Sequence, residues 1–543
     1  MNLKRRGFQA FVLALALVLV VIGCSNNNQP NSSSNSSSEK PAESSSSSTP
    51  AKPKEMVTLR IEQFDRGKSF PPGMAVNDQE GTRFAQREFG DPNNIKLEYV
   101  PVPRSQEVEK LNVLMASSDA PDIVFTYDEA LARKYMAQGG LMDLTDVIEQ
   151  HGPNIKSYLG ETLSYGQWEG EQLAIPAKRA FTGMTSYMIR QDWLDQLNLP
   201  IPETTEQTYE TLKAFRDNQL GGQGTIPLGL ALHPDEYITL IMALIKNPTE
   251  EQYYTGMQRL GLQEYPILMD GHKDVIRTLN QWYHEGLISP DFGLDKDQKV
   301  RKQGMSTGKI GLYAEQAAQS YENAESGQQA TLAKNVPGGL VVPANPFTND
   351  QGRRVKQLNP PTGMYIMVPK TSKVAAEAVQ YLNWLANMDV MLHYTFNGAE
   401  GVAYEIKDDI PVEIKRENVP EEEKIVNASD ILIVTNGIDL GLPQSNVKAL
   451  GASYAEQVVD YAMKAFEYSM TDAETIHYFP KPIESEAKYA QILKGKYEEL
   501  LVKSMLVKPE NFDKTYDDLL KDYMANGGEE VQKERVAAYA AMK

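Results

Sequence analysis

The residues able to do chemistry in this chain are scattered. The six histidines, His151, His233, His272, His284, His393 and His477, fall in no metal-ligand spacing such as H-E-x-x-H. The sequence has neither a Gly-x-Ser-x-Gly elbow nor a Gly-rich loop ending in Lys-Ser or Lys-Thr. Its 73 acidic residues leave paired carboxylates open, since any two can meet in space. Cys24 is the sole cysteine, so there is no disulfide. What stands out instead are short clusters that set an aromatic ring beside planar polar groups: Phe64-Asp65-Arg66 and Tyr127-Asp128. Such clusters stack on a ligand's flat face and bond its polar edge.

The elements that must position these clusters alternate between strand and helix. Val57–Ile61 alternates as a strand, Thr82–Phe89 is helical and ends at Gly90, and Ile95–Val100 is a second strand. Val108, Leu111 and Met115 share one helix face, and Asp122–Thr126 is a third, apolar strand. This order predicts a parallel sheet with helices on both faces. Ligands of such sheets sit beyond the carboxyl ends of the strands, which singles out Gln63–Phe70 and Tyr127-Asp128.

The N-terminus reads as an export signal. Lys4, Arg5 and Arg6 precede the apolar run from Phe8 to Val21, followed by Ile22-Gly23-Cys24. The run is roughly 15 residues, short of the ~20 that span a bilayer. Val21-Ile22-Gly23-Cys24 resembles the lipobox of bacterial lipoproteins, whose cysteine takes a diacylglycerol and becomes the new N-terminus. Residues 25–55 hold twelve serines and no aliphatic side chain larger than alanine. They read as a disordered tether, about 30 Å in reach; a glycosylated stalk shares the composition. The formal charge of −19, about −22 without the three leader cations, argues against nucleic acid or an anionic membrane surface as a broad partner. Residues 56–543 are too long for one compact core.

Beyond the tether a resemblance covers nearly all of the chain. It is carried by Phe84–Gly90, Ser117–Phe125, Gly139–Leu144, Trp168–Pro176, Ser186–Leu194, Pro202–Leu212, Gly286–Phe292, Gly308–Gly311 and Gly398–Tyr404. In this order they resemble extracellular solute-binding proteins of carbohydrate ABC importers, akin to maltodextrin-binding protein. The set is most similar to the long Gram-positive lipoprotein branch related to alginate-oligosaccharide binders. The resemblance implies an α/β, two-lobed, periplasmic-binding-protein-like fold of type II, with an interlobe hinge and a helical C-terminal region. It divides the chain into a signal peptide (1–23), a tether (24–55), lobe 1 (56–178 and 363–405) and lobe 2 (179–362 and most of 406–543). Crossings are expected near Ala177–Arg179 and Pro360–Tyr365.

It further implies a monomer on the outer face of the cell membrane, anchored through Cys24. It would capture an oligosaccharide by hinge closure and pass it to the permease, with no cofactor and no enzymatic activity. A sugar-sensing lipoprotein of the same fold, or an extracellular carbohydrate-active enzyme, are the alternatives. Relatives often carry a calcium loop after the helix that here ends near Arg216. The stretch Arg216–Pro227 keeps only Asp217 and Asn218 as side-chain oxygen donors at its start, so no metal is expected. The candidate ligand residues are Phe64, Asp65, Arg66, Tyr127, Asp128, Arg179, Trp282, Tyr313 and Tyr321. Two have an equally concrete structural role open to them: Asp128 as a helix cap and Arg179 as a link between lobes.

Overall fold

The computed structural model describes residues 56–543 apart from 118, 262, 323–326, 417–418, 427, 429, 436–438, 441–444, 447, 450–451, 453, 475–476, 478, 480 and 482. The leader, Cys24 and the serine-rich stretch lie outside the described residues.

The chain opens with β1 (Val57–Asp65) and β2 (Ile95–Pro103), paired in parallel with Val57 opposite Ile95. The helical turns Glu80–Gly90 cross over between them and place Phe84 and Phe89 in the core. β3 (Val124–Thr126) joins β1 through a parallel bridge from Ile123 to Ile61. β4 (Ile175–Arg179) belongs to the same sheet. After β4 the chain leaves and builds a second sheet from β5 (Thr185–Arg190), β6 (Ile226–Gly229), β7 (Ile310–Gln316) and β8 (Val341–Ala344), in the spatial order β8-β5-β7-β6. It returns as β9 (Thr362–Met367), which fills the slot between β3 and β4, and β10 (Val434–Thr435) closes the far edge beside β4.

Both sheets are mixed, where the strand–helix order predicted a parallel one. β9 runs antiparallel to β3 and β4, and β5 antiparallel to β7 and β8. The cause lies in the route of the chain. A strand arriving from the other sheet enters at the end where the home strands finish, so its direction is reversed. Four strands are buried on both faces, the edge strand β8 among them: every residue of β3, β5, β8 and β9 is buried. Apolar residues therefore dominate β3, β8 and β9, while β5 buries Thr185, Ser186 and Arg190 beside its apolar residues.

Each sheet carries its own core. Leu59, Ile61, Phe125, Ile175, Ile366 and Leu382 belong to the first. Ile189, Trp193, Phe215, Leu228, Leu312 and Tyr497 belong to the second. The C-terminal helices Glu484–Leu506 and Phe512–Tyr523 pack onto the second core. There they bury His272 between the hydroxyls of Tyr516 (2.7 Å) and Tyr497 (2.9 Å). Burial pushes this imidazole down to about 3, so it is neutral and structural. Among the described residues no helix is long and apolar enough to cross a membrane.

Candidate binding cavity between the two sheets

A cavity of about 930 Å³ opens where the chain passes between the sheets. Its first wall is built on strand ends. Arg66 follows β1, Arg104 follows β2 and Tyr127 follows β3, and all three line the cavity. Their positions are fixed by two buried carboxylates. Asp430, with no exposed side-chain surface, accepts two hydrogen bonds from the Arg66 guanidinium (2.7 Å each) and one from the Tyr127 hydroxyl (2.8 Å). Glu107 pairs with Arg104 and accepts from the Tyr127 amide (2.6 Å). The Tyr127 ring lies under both cations, 5.6 Å from the Arg66 guanidinium carbon and 4.8 Å from that of Arg104. The hydrogen bond to Asp430 raises the Arg66 pKa. Burial, then Asp430, raises that of the Tyr127 phenol, so the hydroxyl stays protonated.

Arg179 ends β4, at the point where the chain leaves the first sheet. Its Nε donates to the Pro360 carbonyl (3.0 Å), and its backbone N–H donates to Pro361 (2.8 Å). Lys68 donates to the Val426 carbonyl (3.1 Å). This wall is therefore cationic within a chain of formal charge −19, although carboxylates counter two of its cations.

The opposite wall is acidic and amide-rich. Asp235, in the first turn of the helix Pro234–Leu244, accepts from Gln263 (3.3 Å) and Gln316 (3.4 Å). Glu322 also faces the cavity, its pKa raised by burial and then by the nearby charge of Glu315. Aromatic rings complete the lining. Phe181 meets Phe466 edge-on at 4.9 Å, Tyr454 flanks Phe466, and Tyr394 lies on the first side. Flat rings beside fixed donors and acceptors suit a ligand with C–H faces and many hydroxyls.

Of the residues singled out by sequence, Arg66, Tyr127 and Arg179 line this cavity. The structure places the others outside its lining. Phe64 is fully buried under Arg104, 4.6 Å from Phe125, because β1 turns it into the first core. Asp65 is exposed and accepts from the Gly67 amide, which shapes the turn after β1. Asp128 caps the helix Glu129–Ala137 by accepting from the Leu131 amide. Trp282 is buried against Tyr209 and Phe347 in the second core. Tyr313 is buried with its hydroxyl at Ser320, and Tyr321 is buried with its hydroxyl on the Val341 carbonyl. Both tyrosines belong to the core cluster that also holds the cavity-lining Phe181, Ala317, Ala318 and Phe466.

Arg104 was missed although it obeys the rule that found Arg66 and Tyr127, since it too stands just past a strand end. Asp430, Asp235, Gln263 and Gln316 carry no local signal. Asp235, Gln263 and Gln316 reach the cavity only through tertiary folding, and Asp430 reaches Arg66 and Tyr127 from behind its wall in the same way.

Residues 79–391 match the bacterial extracellular solute-binding protein family. The chain belongs to that family. Among curated relatives, this solute-binding protein is 23% identical to Lipoprotein LipO of Bacillus subtilis over 473 residues, 81% of this chain and 86% of that one. It is 24% identical to the polygalacturonan/rhamnogalacturonan-binding protein YtcQ of the same organism, over 84% of this chain and 88% of the other. The fold is that of alginate-binding protein AlgQ2 in its calcium-free crystal structure, with a TM-score of 0.63, 22% identity, and coverage of 90% and 98%. Among the described residues no group of three or more His, Cys, Asp or Glu is arranged to hold a metal ion.

Proposed function

We propose that this extracellular solute-binding protein captures an oligosaccharide in the cavity between its two sheets and delivers it to an ABC permease. The observation that carries the reading is the pairing of fixed Arg66, Arg104 and Tyr127 on one wall with Asp235, Gln263 and Gln316 on the other, with aromatic rings between. A sugar bridging the walls bonds both only when they approach, so its differential affinity for the closed state drives closure. The segments 177–179 and 360–365 act as the hinge. They separate lobe 1 (56–178 and 363–405) from lobe 2 (179–362 and most of 406–543). Relatives named as a polygalacturonan/rhamnogalacturonan-binding protein and as a fructooligosaccharide ABC transporter substrate-binding protein support a carbohydrate ligand.

Delivery to a permease favours a tether over a freely diffusing protein. In this reading Cys24 is lipidated and becomes the mature N-terminus, residues 24–55 form the tether, and the monomer works at the outer face of the membrane. It performs no chemistry on the sugar.

A thermal-shift panel of neutral and acidic oligosaccharides tests this function. The expected result is a selective, concentration-dependent rise in Tm with the sugar recovered intact. A flat panel contradicts a carbohydrate ligand; a shift accompanied by cleavage contradicts a purely binding role.

A further inference from the structure

Behind the second wall lies a smaller annex of about 170 Å³. Asp235, Gln316 and Gln319 line both this annex and the main cavity, so they form a shared rim. The annex is lined beyond the rim by Thr185, His233, Glu236, Gln298, Lys302 and Glu315, with Ala314 the one apolar residue in its lining. A water molecule takes about 30 Å³ of liquid. The space therefore holds several waters or a group the size of one sugar ring, and its walls suit only a polar occupant.

The annex is built to stay in shape. Arg301, wholly buried, lies between two carboxylates. Its Nε is 2.9 Å from Glu236 and its Nη2 is 2.8 Å from Glu315. Gln298 donates to Glu236 and Gln328 to Glu315, each at 2.8 Å. These bonds fix the acceptors before any ligand arrives, which lowers the ordering cost of binding.

Two polar atoms at the annex are buried and lack a hydrogen-bond partner, Thr185 Oγ1 and His233 Nδ1. Thr185 is only 3% exposed. His233 Nδ1 lies 3.8 Å from the Asp235 carboxylate, beyond hydrogen-bond reach. Buried polar groups are costly when unpaired, and their presence beside a polar void points to an outside partner. A sugar hydroxyl both donates and accepts, so it can satisfy either atom.

We propose that the annex is a subsite for one terminal sugar unit of a ligand whose other units occupy the main cavity. This rests on the carbohydrate reading above and extends it. The protein measures chain length, with the rim at Asp235, Gln316 and Gln319 passing the last unit into lobe 2.

Calorimetric titration of the full chain with malto-oligosaccharides and with oligogalacturonides, each from the disaccharide upward, tests the proposal. In the ladder that binds, affinity rises by roughly tenfold at the length that first reaches the annex. Thr185→Val, which keeps the side chain's shape, and Lys302→Met, at a half-buried position, each remove that step and leave shorter members unchanged. Tm values of the variants close to that of the parent establish folding. A smooth rise with length, or a step that survives in both variants, overturns the annex while leaving sugar binding in the main cavity intact. Failure of both ladders to bind the parent chain overturns the carbohydrate reading and the annex with it.

Discussion

Asp430 decides how two of the cavity's lining groups stand, because Arg66 and Tyr127 both hydrogen-bond to its buried carboxylate. Asp430→Asn keeps the volume but removes the charge and one acceptor arrangement. It should weaken sugar binding at least about tenfold by calorimetry and cost on the order of 1–3 kcal/mol of stability, part of the 3–5 typical of a broken buried pair. The reduction from the full figure reflects Arg66, whose side chain is 31% exposed and rehydrates. Glu62 supplies a second residue-scale test. It is wholly buried on β1, and one oxygen accepts from the Phe125 amide while the other has no partner. Burial first, then the charges of Glu107 and Asp430, push its pKa from 4.5 up to about 8. The folded chain therefore favours the protonated form. Its contribution to stability is complete below pH 4.5 and is lost as pH rises through 8. Glu62→Gln should flatten the fall of Tm over that interval, with the variant more stable than the parent at pH 8.5. A parallel fall in both proteins would place the pH dependence elsewhere. Neither Asp430 nor Glu62 is legible in the sequence. Asp430 sits in an aperiodic stretch far from the strands it serves, and Glu62 occupies a strand position that alternation assigns to the exposed face.

The elements were far easier to read than the contacts they make. The helical C-terminal region expected from the sequence includes Glu484–Leu506 and Glu529–Met542, because long runs of helix-forming residues and a Gly-Gly break are local signals. At that break Gly527 adopts φ +123°, and a side chain there would meet the Tyr489 ring. The third strand's end was legible at Thr126, which is why Tyr127 was singled out, whereas β1 and β2 run on to Asp65 and Pro103, past the expected ends at Ile61 and Val100. Sheet direction was not legible, since β9 takes its polarity from where the chain has been. Likewise Trp282, Tyr313 and Tyr321 follow patterns shared by core and cleft residues, and packing alone assigns them to the core. Arg179 is the test at this scale. It ties β4 to the returning segment through the carbonyls of Pro360 and Thr362, at 3.0 and 3.4 Å. Arg179→Ala should lower stability by about 1–2 kcal/mol in denaturant titration. It should also weaken sugar binding about tenfold, through loss of both a lining group and hinge order. Loss of stability without loss of affinity would make Arg179 a purely structural link.

At the scale of the whole molecule, two sheets with separate cores are joined by short segments, and the cavity lies between them. A ligand that bonds both walls must alter their separation or find it already matched. The acidic balance of the chain and the cationic first wall also differ in sign, so the cavity concentrates its charge locally rather than through the overall field. Fold class was legible here because many modest motifs recur in order along the chain. The annex was not, because it is assembled from residues 185, 233, 298, 302 and 315 on separate elements.

The measurement that bears most directly on hinge capture is small-angle X-ray scattering of the protein with and without a sugar that raises its Tm. Closure around the ligand predicts a saturable decrease in radius of gyration that follows the binding isotherm and weakens in Asp430→Asn. Saturating sugar with an unchanged radius of gyration would contradict hinge closure as the means of capture.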